Sequence, residues 1–303
     1  MSQSLFARFR NEITKVYVGE DDTIQALVVA LIAGGHVLIE GNPGLAKTTL
    51  AQTLASCIAG TFRRVQFTID LLPSDITGAN IYRLHDGTFQ FIPGPVFTHV
   101  LLADELNRAP AKTQSALLEA MQERQVTVDT ETHPLPRPFI VLATQNPHED
   151  QGTYPLPDSQ LDRFMFRLRL GYPTPAQELQ IIHFASRAPQ TPSPVLTPEA
   201  CLAISEQIET IEVHDALAQY IVDIIRHTRT LPEISRGASP RAGTVLLRAA
   251  KAHAFLNGRT YVIPDDVQWA VPKVLNHRLA LHPHATRDVD HIIRDTLRRV
   301  PFK

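Results

Sequence analysis

Between positions 24 and 40 apolar residues follow one another almost without a break, "IQALVVALIAGGHVLIE", and only Gly34-Gly35 and a histidine divide the run. The glycine pair predicts a helix, Thr23 to Ala33, ending against a short strand, His36 to Glu40. Shorter apolar runs recur at Val65 to Phe67, His99 to Glu105, Phe139 to Asn146 and Phe164 to Leu170. Most are continuous, as expected of parallel strands buried on both faces. The last alternates, with Arg167 and Arg169 opposite Phe166, Leu168 and Leu170, and reads as a more exposed strand. Between the strands, apolar residues return every four positions, at Leu50, Leu54 and Ile58 and again at Leu117 and Met121. Strands alternating with helices specify an α/β sheet with right-handed crossovers.

After Leu170 the pattern changes. "GYPTPAQE" and "APQTPSPVLTPEA" are proline-rich and read as a hinge and linker, and from Thr197 onward only helical periodicity is found. Pro264-Asp265-Asp266 is a good helix start, with acidic residues in the first turn. The expected organisation is an α/β domain over residues 1–188 and an all-α domain over residues 189–303. Two segments of the first half read as hairpins. "ANIYRLHDGTFQFIPGPVF" has Asp86-Gly87 in the turn and alternation from Thr88 to Ile92, and "RQVTVDTETHPLPRPF" precedes the Asn146 strand.

Composition narrows the function classes. The 303 residues carry 29 basic and 31 acidic side chains, a net charge of −2, which leaves no electrostatic footprint for nucleic acid. Cys57 and Cys201 lie far apart and form no metal-type pair. The first twenty residues lack the apolar core and cleavage site of a signal peptide, and the longest apolar run is too short for a bilayer. A cytoplasmic protein without membrane insertion is the expectation. His277, His282, His284 and His291 cluster near the end of the chain and read as a solvated surface rather than a metal site.

The chemistry begins after the first strand. "HVLIE", "GNPGLAKT" and "TLAQTLASCIA" follow one another as strand, glycine loop and helix, the context of a phosphate-binding loop. Ala46 stands where that pattern has its second glycine. Alanine keeps its amide, and right-handed angles, usual at a helix start, would suit it. Asn42, Pro43, Gly44, Leu45, Ala46, Lys47, Thr48 and Thr49 are the candidate nucleotide contacts. Loop amides would cradle phosphate oxygens, Lys47 would neutralise the β- and γ-phosphates, and Thr48 would help hold Mg²⁺. An apolar strand ending in Asp104-Glu105 places one carboxylate, Asp104, on the metal shell and another, Glu105, beside the attacking water. The next strand ends in "ATQNP", which brings Asn146 to the same edge, where strand ends in open α/β sheets gather ligands.

These motifs, with "SQLDRF" and "SPRA" further on, resemble the AAA+ ATPases. The resemblance is closest to the MoxR family, on "GNPGLAKT", "FTIDLLPSDITGANIY", "GPVF", "LLADELNRAPAKTQSALLEAMQE", "ATQNPHEDQGTYPLPDSQLDRF" and "GASPRA", in that family's order from about Val18 to Asp266. It implies a five-stranded parallel sheet with a helical lid, ATP and Mg²⁺ held near a subunit interface, and alanine before the lysine as usual. It further implies that Gly19 contacts adenine and that Asn146 is sensor 1, Arg163 the arginine finger and Arg241 sensor 2. Two alternatives stay open for Arg163: an ion pair with Asp162, or Arg108 as the finger. Arg241 could serve its own subunit or a neighbour. The first hairpin resembles an insert in the second helix that faces the central channel in relatives. The implied function is chaperone-like maturation of a client complex by a homo-oligomer, a hexameric ring, with a client or adaptor protein that carries a von Willebrand factor A domain. A magnesium-chelatase-like ATPase subunit and a nucleic-acid motor are the alternatives.

Overall fold

The computed structural model describes residues 4–85, 87–146, 153–186 and 190–302. The chain opens with helices α1 (Leu5–Ile13) and α2 (Asp21–Ile32), then β1 (Val37–Gly41), α3 (Lys47–Cys57), β2 (Phe62–Gln66) and the short α4 (Pro73–Thr77). A hairpin of β3 (Gly78–Arg83) and β4 (Thr88–Pro93) leads to β5 (Val100–Asp104), α5 (Ala111–Glu123) and a second hairpin, β6 (Gln125–Val128) with β7 (Glu131–Pro134). β8 (Ile140–Gln145), one turn of α6 (Asp158–Leu161) and β9 (Phe166–Leu170) complete the α/β part. The remainder is α7 (Pro175–Ala185), α8 (Pro198–Glu209), α9 (Asp215–Thr228), β10 (Ile234–Arg236), α10 (Pro240–Leu256), α11 (Pro264–Leu275), β11 (Ala280–Leu281) and α12 (Val289–Arg299).

The five long-range strands form one parallel sheet in the order β2-β5-β8-β1-β9. Period-2 geometry divides each inner strand between two cores. Val100 and Leu102 of β5 face the α2 and α3 side, while Leu101 and Ala103 face α5 with Leu117, Leu118 and Met121. The edges differ as their sequences require. β9 alternates, and β2, "FRRVQ", exposes Arg63 and Arg64.

Apolar on every side, α2 is buried all round, between the sheet and helices α8 and α10. It ends where the glycine pair predicts. Gly34 adopts φ +63°, its N–H reaches Leu31 O at 3.1 Å, and the Gly35 N–H reaches Ala30 O at 2.7 Å, a Schellman ending. Both hairpins form. Of the predicted turn, Gly87 takes a positive φ of +68° and Asp86 lies outside the described residues.

Two details depart from expectation. The C-terminal region is helical but also holds a small antiparallel ribbon, β10 with β11, whose three- and two-residue strands are too short to show a period. His277, read as part of a solvated surface, is buried against the loop before β9. No described helix is long and apolar enough to cross a membrane.

Candidate functional site

β1 ends at Gly41 and α3 starts at Lys47, so the five residues Asn42 to Ala46 turn the chain from strand to helix. Lys47 closes the loop on itself, its Nζ donating to Gly41 O at 2.8 Å. Gly44 has φ +86°, and Ala46, at φ +54° and ψ +27°, is left-handed rather than right-handed as expected. Ala46 is the residue before the first helical turn, where the chain must still turn, and a methyl group in this region costs ~1–2 kcal/mol. Left-handed residues in such a turn gather successive amides into an anion-binding concavity.

Pro43 to Thr48 form one wall of a cavity whose other wall is Arg64, Gln66, Asp104, Glu105 and Asn146. Parallel pairing of β2 with β5 aligns Gln66 with Asp104 and brings these side chains together. Asp104 accepts at Oδ1 from the Thr144 hydroxyl, 2.6 Å, and at Oδ2 from Arg64 Nη2, 2.7 Å. Glu105 accepts at Oε2 from Gln66 Nε2, 2.7 Å, and pairs through the same oxygen with Arg108 Nε at 3.0 Å. The Glu105 backbone is left-handed too (φ +57°, ψ +48°), and its N–H donates to the same Thr144 Oγ1 at 2.9 Å. A residue other than glycine in that backbone conformation is uncommon, and such residues cluster at functional sites. Thr48 and Asp104 offer hard oxygen donors in one cavity, a set that suits Mg²⁺.

Gly44, Leu45 and Ala46 also wall a second cavity, with Tyr17, Gly19, Thr23, Tyr172, Ile181 and Phe184 around it. A Cβ on Gly19 would lie 2.4 Å from the Tyr17 ring, so the strand of chain there stays bare. This apolar slot beside a polar groove suits a flat base joined to phosphates. Asn42 and Thr49 line neither cavity.

Arg163 and Arg241 lie elsewhere. They share a third cavity with Arg124 and Arg248, walled also by Gly34, His36 and Met165. Arg163 Nη1 donates to Leu118 O at 3.1 Å. Asp162 does not pair with it: the Asp162 carboxylate takes Arg278 Nε at 2.6 Å and lies 3.8 Å from Arg241 Nε. The structure thus gathers Lys47, Thr48, Asp104, Glu105 and Asn146 in one place, Gly19 next to it, and the two arginines apart. Arg64, Gln66 and Thr144 were not read from the sequence. Their only signal is a polar period of two at the end of "FRRVQ" and a threonine in "ATQN", and neither matters until strand order is known.

Residues 36–166 match the family described as ATPase family associated with various cellular activities (AAA), and residues 226–296 match the AAA lid domain. The chain is 46% identical to the uncharacterised protein YeaC of Bacillus subtilis, over 93% of this chain and 88% of that one. It is 45% identical to Chaperone MoxR1 of Mycobacterium tuberculosis, over 91% of this chain and 76% of that one. A crystal structure from Cytophaga hutchinsonii superposes with a TM-score of 0.91 at 41% identity, over 99% of this chain and 96% of that one.

Proposed function

The chain belongs to the MoxR family of AAA+ ATPases, and from that premise we propose that it couples ATP hydrolysis to chaperone-like remodelling of a client protein complex. The observation that carries this reading is one cavity with the Pro43–Thr48 loop on one wall and Asp104, Glu105 and Asn146 on the other. We take residues 1–188 as the nucleotide-binding half and 189–303 as the lid.

In this reading the loop amides and Lys47 hold the triphosphate, and the slot at Gly19 takes the adenine. Thr48 and Asp104 would hold Mg²⁺, which when bound neutralises charge on the β- and γ-phosphate oxygens. Glu105 accepts the proton of the attacking water, with its Oε2 side steadied by Gln66 and Arg108, and Asn146 orients that water. Thr144 joins the backbone of Glu105 to the carboxylate of Asp104, so base and metal ligand are aligned together.

The separate cavity of Arg163 and Arg241 supports a role for both on a neighbouring subunit's nucleotide, and the ring of six copies rests on the family resemblance. Arg108, paired with its own Glu105, is the weaker candidate for the finger. The tip of the first hairpin exposes apolar side chains, Leu84 at 91% and Phe89 at 71%, with Ile81 and Tyr82 beside them, which supports client contact there. The client or an adaptor would carry a von Willebrand factor A domain. Both cysteines are unpaired and buried, in keeping with a reducing cytoplasm.

The test is affinity capture with Glu105→Gln, which should bind ATP, hydrolyse it slowly and retain a protein client. Replacing Leu84 and Phe89 by serine should release that client while leaving ATP binding intact. Capture of nucleic acid in place of protein would refute the chaperone reading.

A further inference from the structure

A buried polar run, Asn276-His277-Arg278, follows the last turn of α11 where the helical region meets the loop before β9. The Arg278 side chain is 2% exposed. Its Nε donates to Asp162 Oδ1 at 2.6 Å, and its Nη2 to Asp162 O at 3.0 Å and Phe164 O at 2.7 Å. Its Nη1 reaches Met165 O at 3.3 Å, Val274 O at 2.5 Å and His277 Nε2 at 2.7 Å. His277 donates in turn from Nδ1 to Asn276 Oδ1 at 3.0 Å, and Asn276 Nδ2 reaches Arg167 O at 3.0 Å.

One guanidinium therefore takes the carbonyls of residues 162, 164 and 165 and the carboxylate of Asp162, on both sides of Arg163. We propose that Arg278 is the positioning residue for Arg163, clamping the loop that carries it to the end of α11. This rests on the reading of Arg163 as the arginine that completes a neighbouring subunit's ATP site. Burial disfavours a charged guanidinium at position 278, and Asp162 offsets that cost. An apolar residue would fill the interior without the desolvation penalty, so a cation here has a directional use. Only a planar fork with five N–H donors can address several carbonyls at once, and lysine cannot reproduce that geometry. With three of its carbonyls held, the loop has little backbone freedom, and the Arg163 side chain leaves it in one direction, past Leu118 O toward its cavity. In phosphoryl transfer a misplacement of about 1 Å costs on the order of a hundredfold in rate.

The experiment is a double-mutant cycle in turnover, read beside ATP affinity and circular dichroism. Arg278→Lys should stay folded, bind a fluorescent ATP analogue within about threefold of the parent, and lose about ten- to a hundredfold in kcat. Arg163→Ala/Arg278→Lys should be no slower than Arg163→Ala alone, because the clamp has nothing left to position. Losses that multiply, or a folded Arg278→Lys with parental turnover beside a slow Arg163→Ala, would overturn the clamp. Parental turnover in Arg163→Ala itself would overturn the finger reading, and the clamp with it. Should Arg278→Lys not fold, Asp162→Asn weakens the same clamp at constant size and enters the same cycle. A product of losses there would point to Arg241 or to general destabilisation and would equally overturn the proposal.

Discussion

Gln66 and Glu105 meet at 2.7 Å, amide Nε2 to carboxylate Oε2, across the adjacent ends of β2 and β5. The contact fixes one carboxylate oxygen from the side, together with Arg108, in a residue whose backbone is already turned into the left-handed region. Gln66→Ala removes that support and leaves Glu105, the proposed base, in place. Single-turnover hydrolysis should slow by about tenfold, well short of the ~10²–10⁴ attributable to a general base itself. ATP affinity should stay within about twofold, because in the proposed reaction Glu105 acts on water rather than on the nucleotide's ground state. A Gln66→Ala protein as slow as Glu105→Gln would make Gln66 part of the chemistry.

Arg163 and Lys47 line different cavities of one chain. Lys47→Ala should weaken ATP binding by about a hundredfold, the ~1.5–3 kcal/mol scale of a hydrogen bond to a charged group. Arg163→Ala should bind ATP normally and lose on the order of 10³ in turnover or more. Mixed together, the two inactive proteins should recover part of the activity, since some rings would set an intact loop beside an intact arginine. Absence of recovery despite demonstrated subunit exchange would return Arg163 to its own subunit.

At position 46 glycine would relieve the left-handed strain. The relief of ~1–2 kcal/mol is partly offset by the ~0.4–1 kcal/mol that glycine's freedom adds to the unfolded chain. Ala46→Gly should therefore raise stability by about 0–1.6 kcal/mol in urea titrations. Ala46→Val, β-branched at the same angles, should lower it and weaken nucleotide binding.

His36 is buried, accepting from the Val141 N–H at Nδ1 and donating from Nε2 to Met121 O, so both ring nitrogens serve the neutral form. Burial pushes its pKa down to about 4. The unfolded chain binds the proton more readily, so the stability due to neutral His36 is intact above pH ~6.5 and lost as pH falls toward 4, about 3 kcal/mol in all. His277, held down by burial and the adjacent Arg278, acts in the same sense. His36→Gln keeps one acceptor and one donor, and its urea midpoint should fall less between pH 7.5 and pH 5 than the parent's. An unchanged pH profile would assign the acid sensitivity to other groups.

Much of this site was written in short-range pattern. Strand, loop and helix around Lys47 are contiguous, and Asp104, Glu105 and Asn146 each end an apolar run, so their shared edge follows from strand periodicity and the rule for open sheets. The left-handed turn at Ala46 was not read, because alanine in place of the pattern's second glycine hides the one residue type that signals a positive φ. Arg64 and Gln66 gain meaning only when β2 lies beside β5. Arg278 was beyond reach, since its partners at 162 to 165 are more than a hundred residues away. A polar "NHR" after a helix looks like solvent-facing sequence until the interior around it is built.

Both outer strands of the sheet carry two arginines within five residues, Arg63 and Arg64 on β2 and Arg167 and Arg169 on β9. Those of β9 are tied to Glu40, and Arg169 also to Asp290. An edge strand with charged side chains resists a further strand, because continuing the ladder would strip water from the exposed guanidinium groups of Arg63, Arg64 and Arg169. Copies of this chain should therefore join without lengthening the sheet. A contact made of side chains rather than backbone ladders loosens in salt and exchanges partners, whereas a shared ladder between chains would lock each assembly at its first composition.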